Sequence, residues 1–70
     1  MAYQKVQSIL FDKKKFSEKE AVKWLIEHNR EHYKVHETDH SWRFRQFDPI
    51  LGAKYKTIHH PEGVTFIVSY

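Results

Sequence analysis

Six histidines in a 70-residue chain raise metal binding and acid–base chemistry first. His28, His32, His36 and His40 recur at intervals of four. On one continuous helix they would line a single face and offer imidazoles to zinc. That helix is not expected, because Tyr33-Lys34-Val35-His36-Glu37 alternates and reads as a strand. In His28-Asn29-Arg30-Glu31-His32 the glutamate does not directly follow the first histidine, as the zinc-protease pattern requires. The histidines therefore read as surface residues and no metal site is expected. His36-Glu37-Thr38 is a His-x-Thr, half of the pair with which two-histidine phosphodiesterases supply a base and an acid. The chain has no second copy. It also lacks a glycine-rich phosphate loop, a nucleophile elbow and a carboxylate pair with a clear role. The expectation is a protein that binds rather than catalyses.

Basic and aromatic residues interleave at Trp42-Arg43-Phe44-Arg45 and Lys54-Tyr55-Lys56. Guanidinium forks suit phosphate and the Hoogsteen edge of guanine. Aromatic faces stack on bases at about 1–3 kcal/mol each. A nucleotide or a single-stranded nucleic acid fits this chemistry. An ordinary sheet, with its aromatics inward and its arginines solvated, fits the same pattern.

The elements that would hold these residues follow from periodicity. Tyr3 to Phe11 reads as a first strand, with Val6, Ser8 and Leu10 on one side and the Ile9/Phe11 side partly buried. Asp12 to Lys15 is a charged connector. Ser17 and Glu20 match a capping box, with Phe16 before them as a staple. Ala21, Val22, Trp24, Leu25 and Ile26 then form a helical stripe, with Asn29 as a stop, so a helix is expected from Glu18 to His28. Short strands follow at 33–37, 41–47 and 54–58, and the most β-prone segment is Val64 to Tyr70. A loop bracketed by Pro49 and Gly52 and a turn at His59 to Gly63 separate them. The order β-α-β-β-β-β predicts a single α+β domain spanning residues 1–70, one small antiparallel sheet with one helix on a face. The helix should cover Trp42 and Phe44 and leave Arg43 and Arg45 open. The two basic-aromatic stretches are expected on neighbouring strands.

Composition bounds the rest. The chain has no cysteine, which removes disulfides, thiolate metal sites and a cysteine nucleophile. Net charge is +3, a mild bias toward anions. No apolar run suits a membrane span and the start lacks a signal-peptide core, so a cytosolic protein is expected. A domain this short without staples is expected to gain stability as a homodimer or larger homo-oligomer.

Phe16-Ser17-Glu18-Lys19-Glu20-Ala21, Trp24-Leu25, His28, Val35-His36-Glu37-Thr38, Arg43-Phe44-Arg45-Gln46 and Asp48-Pro49 together resemble a short domain of tailed phages and giant viruses. The resemblance runs from Val6 to about Tyr70. Its most specific part is Glu37-Thr38 with Arg43-x-Arg45-Gln46-x-Asp48-Pro49. Standalone members of this group resemble phage anti-CBASS sponge proteins, which hold a cyclic oligonucleotide alarm without cleaving it. His59-His60-Pro61-Glu62 departs from the Lys/Gly-like turn expected there.

The resemblance implies a viral protein of the host cytoplasm, without cofactor, that sequesters a guanine-containing cyclic dinucleotide such as 3′3′-cGAMP. Arg43 and Arg45 would carry phosphate or guanine contacts. Tyr33, Trp42 and Tyr55 are the stacking candidates, Trp42 being also the best placed for the core. Lys54, Lys56 and His59 would add charge or hydrogen bonds. A homodimer sharing one pocket suits so small a subunit. Two other classes remain open: a nucleic-acid-binding accessory domain, and a structural or protein-interaction module of a virus.

Overall fold

The computed structural model describes residues 5–47 and 52–69. Tyr3, Gln4, Asp48, Pro49 and Tyr70, on which parts of the sequence reading fall, lie outside the described residues. The chain runs β1 (Lys5–Asp12), α1 (Glu18–Glu27), β2 (Val35–Glu37), β3 (Ser41–Arg45), β4 (Tyr55–His59) and β5 (Val64–Ser69). The five strands form one sheet in the order β2-β3-β1-β5-β4. Every pairing is antiparallel. This is the expected α+β architecture. Among the described residues no helix is long and apolar enough to cross a membrane.

The helix forms where the capping signal places it. Ser17 Oγ accepts from Glu20 N at 3.1 Å, and Glu20 Oε1 accepts from Ser17 N at 3.0 Å. These reciprocal bonds hold the Glu20 carboxyl below its ordinary range, the Ser17 backbone N–H being the main cause. At the other end Asn29 adopts φ 56°, a left-handed conformation that asparagine tolerates. Arg30 N then donates to Leu25 O at 2.8 Å and Asn29 N to Ile26 O at 3.2 Å, which closes the helix in a Schellman turn.

Ala21 and Leu25 press on Ile9, Phe11, Phe44 and Val64, and all six are fully buried. Phe11 is the centre, meeting Phe16, Trp24 and Phe44 edge-on at 5.1, 5.4 and 5.7 Å. The side of β1 expected to be only partly buried is therefore the core side. The alternation also breaks in β1. Val6 pairs with Val68 and Ser8 with Ile67, leaving Gln7 as an extra residue. This bulge turns Val6 toward the helix, where it packs on the core, while Ser8 and Leu10 face away. Gln7 is buried there with its polar atoms met: its amide donates to Phe47 O at 2.8 Å and accepts from Ser8 Oγ at 2.6 Å.

One expectation about strand order fails. The stretches containing Arg43 and Tyr55 are not on neighbouring strands, because β1 and β5 lie between β3 and β4. β1 pairs with β3 on one side and β5 on the other, which leaves β4 at the far edge.

Candidate anion-binding site

The sheet face away from the helix carries the chemistry. Register places His36, Arg43, Leu10, Thr65 and His59 in one row across all five strands. The next row holds Arg45, Ser8, Ile67 and Thr57. Trp42 and Phe44 fill the alternate positions of β3 and point to the helix.

At the β2–β3 end, Lys34, Val35, His36, Arg43 and Arg45 enclose a groove of about 320 Å³. Four of these five side chains are basic. Arg43 Nε is buried and has no hydrogen-bond partner among the described residues. A desolvated, charged donor left unmatched is costly, and an acceptor from outside would relieve it. Toward the other end of the same face, a broader groove of about 640 Å³ has Leu10, Thr57, Thr65 and Ile67 on its floor. Lys14, His40 and His59 are among its walls. One end of the face is thus basic, and its middle offers an apolar and hydroxyl-bearing bed.

The other candidates fall in different places. Tyr55 shares the open face, but about 14 Å of sheet separates its strand from β3. His59 lies in the broad groove, its Nδ1 3.1 Å from Thr65 Oγ1. Tyr33 is 77% exposed in the loop after α1, with its ring against His32. Lys54 is exposed just before β4. Lys56 is the partner of Val68, so it projects on the helix side, opposite the arginines. Trp42 is a structural residue in this chain. Its indole N–H donates to Phe16 O at 3.2 Å, and Lys13 Nζ sits 4.7 Å above its ring. It cannot share a face with Arg43 while both remain in β3.

The same contacts sort the residues that carry the viral resemblance. Glu37 accepts from Lys13 Nζ at 2.6 Å. Thr38 Oγ1 accepts from Ser41 N at 3.0 Å and closes the β2–β3 turn, so this hydroxyl is taken up by the turn. Gln46, which the reading from sequence left without a task, clamps Glu31: its amide accepts from Glu31 N at 2.9 Å and donates to Glu31 O at 3.1 Å. Among the described residues no group of three or more His, Asp or Glu is placed to hold a metal ion. Searches against protein-family models, curated proteins and solved structures find no match to this chain.

Proposed function

We propose that this protein is a binder that sequesters a cyclic dinucleotide, with 3′3′-cGAMP as the reference ligand, and thereby blunts CBASS antiphage defence in the host cell. The observation that carries the reading is the unmatched, buried Arg43 Nε in a groove walled by Lys34, His36, Arg43 and Arg45. A phosphate oxygen there would accept charge-assisted bonds from the forked guanidinium groups. Leu10 lies beside Arg43, and Ile67, one strand further on, extends an apolar floor on which a base could rest. A sponge acts by affinity alone, so competition with an effector demands a Kd near nanomolar, about −12 kcal/mol.

The test is calorimetric titration with 3′3′-cGAMP, 3′3′-cyclic di-GMP, a single-stranded DNA and a single-stranded RNA. The expected result is tight binding of a cyclic dinucleotide, recovered intact after the protein is denatured. Polymer binding that falls steeply with salt would instead make the protein a nucleic-acid binder. Binding of none of these would leave a protein-interaction module. Opened nucleotide in the released fraction, absent with His36→Ala, would make it an enzyme.

A further inference from the structure

The cationic groove stops at an open sheet edge. β2 is the edge strand, and Val35, His36 and Glu37 are all exposed. The backbone bonds fix which of its groups are free. Thr38 N donates to Ser41 O at 3.0 Å, and Arg45 N donates to Lys34 O at 3.2 Å. Antiparallel pairs alternate between bonded and non-bonded, so Lys34, His36 and Thr38 turn their backbone groups toward β3. Val35 and Glu37 turn their N–H and C=O outward.

We infer that two copies of this chain join edge to edge through β2, with His36 of each on the two-fold axis, and that the paired edge completes the anion site. In this register Val35 of one copy lies opposite Glu37 of the other. Each such pair exchanges two backbone hydrogen bonds, which matches the outward groups on both strands. His36 and its counterpart form the close, non-bonded pair, with Cα atoms about 4.5 Å apart. Both imidazoles then stand on the open face, and the two β3 strands lie about 14 Å apart with their arginines on that face. The two grooves of about 320 Å³ become one two-fold bed. A cyclic dinucleotide has the same approximate symmetry and two phosphates. The inference rests on the proposed function for that ligand, but the edge pairing is tested separately.

Charge makes the pairing conditional. Lys34 and Arg43 from both copies crowd one axis. They repel without an anion, and a bridging ligand removes the repulsion. The strand contact is short, so the ligand supplies much of what holds the pair together.

Sedimentation velocity with and without 3′3′-cGAMP tests this, together with three substitutions at one position. Val35→Pro removes an outward N–H and no β2–β3 donor, so the fold survives and the edge does not. Val35→Glu sets like charges opposite Glu37 of the second copy, whereas Val35→Lys sets opposite ones. The expected result is a dimer holding one ligand in the wild type. Val35→Pro and Val35→Glu should be monomers with at least tenfold weaker binding, and Val35→Lys a dimer at lower protein concentration. If Val35→Pro fails to fold, the opposed effects of Glu and Lys decide. A wild-type monomer saturated with ligand, or a dimer indifferent to all three changes, overturns the inference. If 3′3′-cGAMP does not bind, the functional reading fails, and the edge is judged at 1 M salt, where the screening length falls to about 3 Å. A dimer there that Val35→Pro dissociates supports the edge; a monomer, or a dimer that Val35→Pro leaves intact, overturns it.

Discussion

Trp42 and Arg43 are adjacent in the chain and face opposite sides of the sheet. The indole bonds Phe16 O beneath the helix, and the guanidinium lies in the cationic groove with a buried, unmatched Nε. Core-facing and groove-facing positions therefore alternate residue by residue along β3. Arg43→Ala should leave the melting temperature of the free protein unchanged or slightly raised, since it removes an unsatisfied buried donor. It should weaken cyclic dinucleotide binding by roughly tenfold to several hundredfold, as expected for a charge-assisted bond of about 1.5–3 kcal/mol, more where the phosphate is left desolvated. Arg43→Lys should recover only part of this, because an ammonium cannot form the planar fork. Calorimetry beside melting curves checks both. Wild-type affinity in Arg43→Ala would remove the groove from the site.

Trp42 should behave in the opposite way. Trp42→Phe keeps most of the apolar area but loses the bond to Phe16 O and the shelf beneath Lys13. The expected cost is about 1–2 kcal/mol of stability. Binding measured well below the melting transition should stay within about threefold of wild type, a difference of under 1 kcal/mol. A binding loss as large as that of Arg43→Ala would mean that the indole reaches the ligand.

How far these roles could be read beforehand depends on the range of the signal. The outward direction of Arg43 and Arg45 follows from a period of two within one strand. The helix start follows from Ser17 and Glu20, three residues apart. The position of Tyr55 does not follow, because strand order is set by β1 choosing β3 and β5 as partners, and no local pattern encodes that choice. The bulge at Gln7 needs a count across two strands. That Lys56 and Tyr55 point to opposite faces follows from the period of two, but which of them faces the helix is fixed by the pairing of Lys56 with Val68, twelve residues on. The groove at β2–β3 is half legible, since Arg43 and Arg45 form a pair within one strand but Lys34 and His36 join them only through the hairpin register.

The capping box makes acid sensitivity testable. The carboxylate of Glu20 accepts from Ser17 N, and its folded-state pKa is lowered from 4.5. A group with a depressed folded pKa contributes stability above its unfolded pKa and loses it as pH falls through the folded value. Stability should therefore decline as pH drops below about 4.5, and Glu20→Gln should flatten that part of the curve while keeping an acceptor for Ser17 N. Ser17→Ala should cost about 1 kcal/mol at neutral pH through the lost cap. Denaturant melts of the three proteins from pH 3 to 7 check this. An identical pH slope in Glu20→Gln would assign the acid response to other carboxylates.

Gln46 tests whether the groove depends on a residue that does not line it. Its side chain makes two bonds to the backbone of Glu31, across fifteen positions of sequence. They tie the loop after α1 to the end of β3, just before the chain enters Lys34 and β2. Gln46→Ala breaks both and leaves the Glu31 N–H and C=O to solvent. Their exposure keeps the cost near the low end for hydrogen bonds, about 1 kcal/mol. The larger effect should be local: faster amide exchange at Glu31 and in β2, with the core amides of β1 and β5 little altered. If Lys34 and His36 belong to the site, looser anchoring of their strand raises the cost of ordering them around a ligand. Affinity should then fall about three- to tenfold, roughly 0.7–1.4 kcal/mol. The loss should come mainly through faster dissociation, while Arg43 still engages the anion. Amide exchange read by mass spectrometry, beside dissociation rates for 3′3′-cGAMP, separates the steps. Unchanged binding despite faster exchange in β2 would confine the site to β3, and unchanged exchange would show that the loop is held by other contacts.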